Sequence, residues 1–241
     1  MINRGKKGRK RSHKRTVLIR AKTKLASRTA RITTKVIQRG APWWLKRALL
    51  GTCFWMGHRH SLYREYPLGE AAMVAELCNL IFANLPPSLK LVCEVKYSDL
   101  LVIPNEKTVF TEKSRVDLCV CGPITKGDEP LQKVQYVFEV KRGSASTAAV
   151  NDDLRRLLEL KRARPKVSAF LLLVSERRLP ARFVTPKSFA VKKKLPIPKA
   201  DGHCYVRAVM KAVPAVKSLQ NAHYACAVEV VDKNSPSVRR P

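Results

Sequence analysis

Two short stretches of this 241-residue chain carry two carboxylates and an ammonium group at spacings that could support chemistry. Residues 115–120 (RVDLCV) and, after a turn, residues 137–141 (VFEVK) each show the alternation that is typical of β-strands. The alternation predicts that Asp117, Glu139 and Lys141 lie side by side on one face of a hairpin. Charged groups are costly to place beside apolar strands unless something requires them there. A divalent metal ion and a phosphodiester would require this set.

The triplet Glu-Val-Lys occurs twice, at residues 94–96 and at residues 139–141. A metal site built on this triplet needs another carboxylate from a neighbouring strand. The second copy has Asp117 on the preceding strand, whereas the first has none, because Asp99 is the earliest Asp in the chain. Ligands that consist of oxygen alone suit Mg²⁺ or Mn²⁺ and not zinc. The candidate site is therefore placed at the second copy.

A fourth candidate lies on the first predicted helix of the domain, residues 67–85. Its apolar residues recur at helical spacing in one stripe, and Pro86 and Pro87 end the helix. At about 100° per residue, Glu70 falls within roughly 40° of the stripe centre and Glu76 about 160° away. We therefore expect Glu70 to face the sheet and Glu76 to face water. The stripe consists of Val74, Leu77, Cys78, Ile81 and Leu85.

The apolar pattern predicts the order helix, three strands, helix, strand. The expected bounds are 67–85, 89–101, 108–121, 134–141, 148–162 and 167–174. Two further strands are expected at the sheet edge, at 205–213 and 223–231, after a loop rich in Pro and Lys that runs from Arg178 to Lys199. Such an order predicts an α/β fold with a central mixed sheet flanked by helices.

Composition divides the chain into four regions. They are a basic arm at 1–40, an aromatic connecting segment at 41–66, the predicted domain at 67–232 and a polar tail at 233–241. The arm carries 15 Lys and Arg, and no acidic residue precedes Glu65. We expect the arm to be flexible until it meets a polyanion. The net charge of +30 favours nucleic acid over an anionic membrane surface as the partner.

Seven cysteines, an odd number, lie mostly in apolar stretches and indicate a reducing compartment. No apolar run approaches the roughly 20 residues of a membrane span, so no membrane is expected. These features predict a cytoplasmic or nucleoid-associated protein. The acid-free basic start also suits an organellar transit peptide, which remains an alternative.

A helix bearing Glu70, a strand bearing Asp117, a strand bearing Glu-Val-Lys, a helix and a buried strand together resemble the PD-(D/E)XK nuclease superfamily, which has the restriction-endonuclease-like fold. The resemblance covers about residues 67–176. It implies an αβββαβ core, with strands 205–213 and 223–231 as a candidate continuation of the matched region. Residues 116–118 (VDL) lack the Pro that gives the family its name.

The resemblance implies a metal-dependent nuclease, with DNA favoured over RNA as the substrate. Asp117, Glu139 and the Val140 carbonyl would hold Mg²⁺ or Mn²⁺, and Glu70 would complete the metal shell or orient water. Lys141 would position the attacking water or neutralise the scissile phosphate. A homodimer is compatible with this activity, because cutting both strands of a duplex usually requires two such sites.

Basic residues near the predicted site and in the arm are candidates for contacts with the nucleic acid. They are Arg142, Arg155, Lys161, Arg162, Lys6, Lys7, Arg9, Lys10 and Arg11. The helix at 148–162 also carries Arg156, and its basic residues would look the same on an ordinary solvated face. The alternative function is a non-catalytic nucleic-acid-binding protein of chromatin or of a ribonucleoprotein, including an inactive nuclease fold. In that case the acidic residues would form salt bridges across the strands.

Overall fold

The computed structural model describes residues 40–62, 68–101, 113–123, 129–213 and 222–233. The predicted arm residues Lys6, Lys7, Arg9, Lys10 and Arg11 lie outside the described residues, as do residues 234–241 of the tail. The helices are α1 (Trp43–Leu62), α2 (Glu70–Asn84), the single turn α3 (Tyr97–Leu100) and α4 (Thr147–Ala163). The strands are β1 (Lys90–Lys96), β2 (Arg115–Cys121), β3 (Val134–Arg142), β4 (Ser168–Ser175), β5 (Leu195–Pro196), β6 (Gly202–Ala212) and β7 (His223–Asp232).

Within the described ranges, seven strands form one mixed sheet in the order β1-β2-β3-β4-β7-β6-β5. β3 and β4 run parallel, while the other neighbouring strands pair antiparallel. Parallel neighbours need a crossover connection, which α4 supplies here. Since Arg142 lies opposite Val174, the carboxyl ends of β3 and β4 meet at one end of the sheet, where α4 begins.

Both faces of the sheet are covered. Cys119 and Val137 belong to the hydrophobic cluster beneath α4, whereas Phe138 and Val140 belong to the cluster beneath α1 and α2. Alternate residues of β3 therefore serve opposite layers, as the strand period requires. The expected α/β class, with a mixed sheet between helices and the order αβββαβ, is confirmed.

The aromatic connecting segment consists largely of one helix, since α1 continues without a break to Leu62. No Pro interrupts it, and Gly51 lets α1 approach Leu80 of α2, where an added Cβ would lie 3.1 Å from the Leu80 Cδ2. Trp44 is buried and packs edge-to-face on Tyr136 and Phe138, with ring centroids 5.4 and 6.1 Å away. A close helix contact and an aromatic anchor thus hold α1 on the domain.

The predicted strand 89–101 is shorter than expected, since its last residues form the helical turn α3. Tyr97 and Leu100 are both buried, and their i, i+3 spacing is the helical period and not the strand period. β2 begins at Arg115 instead of residue 108, and residues 102–112 lie outside the described part. The segment expected as loop between Arg178 and Lys199 contains the short strand β5.

In the described ranges, none of the helices is both long enough and apolar enough to traverse a lipid bilayer.

Candidate active site

Asp117 lies where β2 and β3 separate. The two strands pair from Leu118, opposite Phe138, to Cys121, opposite Val134, and Asp117 is the residue just before this paired stretch. Its Oδ2 accepts a hydrogen bond of 2.6 Å from the backbone N–H of Val140. If the pairing of β2 with β3 continued, a backbone carbonyl of β2 would accept this hydrogen bond. The Asp117 carboxylate takes the place of that carbonyl, which fixes Asp117 beside Val140.

Glu139 is held in the interior, with 3% of its surface exposed. The Tyr97 hydroxyl donates to its Oε1 at 2.5 Å, and the Nε of Arg156 lies 3.5 Å from the same oxygen. Burial, followed by repulsion from the nearby Asp117, raises the pKa of Glu139 to about 8. Burial and the nearby carboxylates disfavour the ionised form of Glu139, and the hydrogen bond from Tyr97 and the charge of Arg156 offset this only in part. The environment of Glu139 would therefore favour an added cation.

Lys141 lies between two carboxylates from different helices. Its Nζ is 3.0 Å from Oε1 of Glu70 on α2 and 3.2 Å from Oδ2 of Asp153 on α4. Burial lowers the pKa of Lys141, but the two carboxylates more than offset this, so that the pKa is raised. Lys141 therefore remains an ammonium ion at neutral pH, with its position set by three elements of the fold.

Asp153 extends the site onto α4, where it is only 2% exposed on the apolar face of the helix. Besides Lys141, its carboxylate pairs with the guanidinium of Arg156, one helical turn further on. Burial raises the pKa of Asp153, against the opposing effect of these two cations. A buried carboxylate requires such partners, so Asp153 and Arg156 connect Lys141 to Glu139 in one charged network.

The structure brings the four predicted side chains to one place. Glu70 contacts Lys141, Glu139 lies two residues before it on β3, and Asp117 binds the backbone N–H between them. Glu70 also accepts from the backbone N–H of Arg142 at 3.5 Å. By contrast, Glu94 and Lys96 of the first Glu-Val-Lys triplet are exposed on β1 at the sheet edge.

Three residues of the network were absent from the predicted site: Tyr97, Asp153 and Arg156. Asp153 carries the same signal that identified Glu70, because it falls on the apolar stripe of its helix with Val150, Leu154 and Leu157. Arg156 appears in the sequence only as one of several basic residues of that helix. Tyr97 has no sequence signal, since its contact with Glu139 joins residues 42 positions apart.

The predicted nucleic-acid-binding residues of the domain are separated by the fold. Arg142 follows Lys141 on β3, with its guanidinium 3.7 Å from Glu176, and Arg155 pairs with Asp152. Lys161 donates to the backbone carbonyls of Pro165 and Val167, each at 2.7 Å, at the far end of α4.

Arg162 belongs to the same far end of α4, where it pairs with Glu159 at 2.6 Å and with Asp232 at 3.2 Å. Along the helix, Lys161 is roughly 12 Å from Asp153. Lys161 and Arg162 therefore support the end of α4, at a distance from the charged network.

Asp117 and Glu139 are the residues that could bind a divalent metal ion at this site. Over the ranges that the structure describes, no three His, Cys, Asp or Glu side chains are grouped so as to hold a metal. Asp117 and Glu139 nevertheless provide two hard oxygen donors, close enough for one to raise the pKa of the other. Mg²⁺ needs only one or two carboxylates, together with water and substrate phosphate oxygens. The chemistry of the donors fits such an ion.

No protein-family model matches the chain, and no curated protein matches it. Two solved structures are similar to it: NucC from P. aeruginosa ATCC27853 in the cAAA-bound form, 16% identical, and NucC from E. coli MS115-1 in the cAAA-bound form, 18% identical. Each similarity has a TM-score of 0.30 and covers 68% of this chain. The chain spans 58% of the length of either NucC chain. At this identity and TM-score, the chain has only a weak similarity in fold to the two NucC structures.

Proposed function

We propose that this protein is a metal-dependent nuclease that hydrolyses phosphodiester bonds, with DNA as the substrate. The observation that carries the proposal is the convergence of Glu70, Asp117, Glu139 and Lys141 at the carboxyl end of β3. Paired carboxylates beside a fixed ammonium group suit an anionic substrate whose charge increases in the transition state.

Asp117 and Glu139 would hold Mg²⁺ or Mn²⁺, together with the Val140 carbonyl. Because the N–H and C=O of one strand residue point to the same neighbouring strand, the Val140 carbonyl faces the same side as the N–H that Asp117 accepts. When bound, the metal ion supplies a water of lowered pKa and stabilises charge on the phosphoryl oxygens. Tyr97 holds the Glu139 carboxylate in one orientation for this role.

Lys141 would contact the scissile phosphate or the attacking water. Its salt bridges with Glu70 and Asp153 restrict an otherwise flexible side chain to one position. A compact ammonium group held in place by two carboxylates can stabilise developing negative charge without further reorganisation. Asp153 is thus a positioning residue for Lys141, and Glu70 shares that role.

The DNA substrate would lie across the end of the sheet that contains the carboxyl ends of β3 and β4. Arg142 ends β3, and the exposed Arg177 and Arg178 follow β4 at the same end. Neutralisation of backbone phosphates by such residues provides affinity without sequence specificity. The net charge of +30 supports a polyanionic substrate.

The test is cleavage of duplex, branched and single-stranded DNA and of RNA by the purified full-length chain, with Mg²⁺ or Mn²⁺. We expect Asp117→Ala, Glu139→Ala and Lys141→Ala each to lower the cleavage rate at least about 100-fold while DNA affinity is kept. The first Glu-Val-Lys triplet offers a matched control in Lys96→Ala, which removes a lysine from an exposed position. This control should cleave at the wild-type rate, whereas Glu94 is unsuitable because its charge contributes to the raised pKa of Asp117.

A non-catalytic nucleic-acid-binding protein is the second candidate, and one observation favours it. The contacts from Tyr97 and Arg156 to Glu139 form a buried polar network of the kind that also serves structure alone. This candidate predicts that all substrates stay intact with either metal ion, while substitutions at 139–141 lower only the stability of the protein. That result would refute the nuclease proposal.

A further inference from the structure

Two cysteines face each other between α2 and β1. The Sγ atoms of Cys78 on α2 and Cys93 on β1 are 3.3 Å apart. Cys78 is half-buried and Cys93 is exposed. All seven cysteines of the chain are described and free, and the other five are buried: Cys53, Cys119, Cys121, Cys204 and Cys226. Cys78 and Cys93 are therefore the pair that a small oxidant can reach.

These two sulfur atoms are in direct contact but are not bonded. A disulfide has an S–S length of about 2.05 Å, so the two sulfurs need to approach by roughly 1.3 Å. Each thiol is on a regular element, α2 or β1, and the two sulfur atoms are already in contact, so bond formation requires only a local approach of the two side chains. We propose that Cys78 and Cys93 form an oxidative modification site, which peroxide converts into a reversible intramolecular disulfide.

The reaction balances in two steps. One cysteine loses its proton and attacks a peroxide oxygen as the thiolate, which yields a sulfenic acid and a hydroxide ion. The hydroxide takes up the released proton and leaves as water. The second thiol then attacks the sulfenic sulfur, forming the S–S bond and releasing a second water. Two sulfur atoms lose one electron each, and the peroxide is reduced. A dithiol reductant reverses the change by thiol–disulfide exchange.

The environment of Cys93 slows its oxidation. Burial and the neighbouring Cys78 raise the pKa of Cys93 to about 12, so this residue is a protonated thiol at neutral pH. A protonated thiol reacts slowly with peroxide, because the thiolate is the nucleophile, so formation of the sulfenic acid is the slow step. In a reducing compartment the disulfide would accordingly be transient.

The Cys78–Cys93 disulfide would connect α2 and β1, each of which has one end beside the charged network. α2 begins with Glu70, which contacts Lys141, and β1 ends immediately before Tyr97, which contacts Glu139. A disulfide between Cys78 and Cys93 closes a short loop and restricts the unfolded chain, which stabilises the fold. Oxidation of this junction does not depend on the proposed nuclease activity.

The experiment uses the reduced full-length protein, treated with hydrogen peroxide and compared with an untreated sample. We expect the intact mass to fall by two hydrogen atoms, a digest to yield the peptide of Cys78 linked to that of Cys93, and the melting temperature to rise by about 5 to 10 °C. Dithiothreitol should restore the original mass and melting temperature.

Cys93→Ser and Cys78→Ser should both abolish the linked peptide and the rise in melting temperature. Cys93 is exposed, so its replacement should leave the fold intact. Cys204→Ser, at a buried cysteine away from the pair, is the matched control and should respond like the wild type. Intermolecular links only, a link between other cysteines, or an unchanged response of Cys93→Ser would overturn the proposal.

Discussion

At the scale of single residues, the site depends on burial of charge beside charge. Glu139 and Asp153 are both nearly inaccessible to water, and each has an arginine or lysine partner. Removing one member of such a network leaves another uncompensated in the interior, which is more costly than removing the pair. The network around Lys141 can thus hold its geometry before any substrate arrives.

The raised pKa of Glu139 predicts how stability depends on pH. The carboxyl has a pKa of about 8 in the fold and an ordinary value of 4.5, so the folded state binds the extra proton between these values. Stability of the metal-free protein should therefore fall as the pH rises from about 5 to above 8, by at most roughly 5 kcal/mol. Urea unfolding across this range measures the effect.

Glu139→Gln provides the control for this pH dependence, since it keeps the shape of the side chain and removes its titration. Its stability should vary much less over the same range. Mg²⁺ requires the ionised carboxylate, so added Mg²⁺ should oppose the loss of stability above pH 7. A wild-type curve that rises between pH 5 and pH 8 would contradict the assigned direction.

At the scale of elements, the turn between β3 and α4 positions the site. The Gly143 N–H donates to the Val174 carbonyl at 2.7 Å, and the Ser146 hydroxyl accepts from the Ala149 N–H at the start of α4. These bonds place the first turns of α4, which carry Asp153, beside the end of β3, which carries Lys141. A short and closely packed connection thus determines the contact between the two side chains.

Gly143→Ala tests this connection. An added Cβ would collide with the Ser175 side chain and lie 3.0 Å from the Ser175 Cα, so the β3–β4 junction must shift. We expect the free energy of unfolding to fall by about 1 to 3 kcal/mol. Gly57→Ala is the control, because its Cβ would meet only the His223 side chain at 3.7 Å within α1. That variant should be neutral or more stable by up to about 1 kcal/mol.

At the scale of the whole molecule, charge is distributed unevenly along the chain. The arm at 1–40 is purely cationic, whereas all 18 acidic residues lie from Glu65 onward, among them those of the candidate site. A cationic arm would attract DNA through its phosphates and without recognition of the base sequence. The domain would carry out the proposed hydrolysis. Affinity and cleavage should consequently be separable.

Deletion of residues 1–40 is expected to weaken DNA binding at least about tenfold at moderate salt and to flatten the plot of log affinity against log salt concentration. The physical reason is that fewer condensed counterions are released on binding. Fluorescence anisotropy with a labelled duplex at several salt concentrations measures both effects. An unchanged affinity and slope would show that the arm is not a tether.

Much of the site could be predicted from local periodicity. Because a strand places alternate residues on one face, the sequence predicts that Asp117, Glu139 and Lys141 lie together. Because a helix turns by about 100° per residue, the sequence predicts that Glu70, and not Glu76, faces the sheet. The same reasoning predicted the order of elements and the mixed sheet. It works because the position of a side chain on its own element depends only on residues nearby in sequence.

Only the tertiary structure decided which elements lie opposite one another. The contact of Tyr97 with Glu139, and the position of Asp153 between Lys141 and Arg156, depend on the packing of α3 and α4 against the sheet. The pairing of Cys78 with Cys93 likewise depends on the packing of α2 on β1. Sequence periodicity states which way a residue faces, whereas packing of distant segments determines what it meets, because burial and charge pairing are optimised over the whole fold.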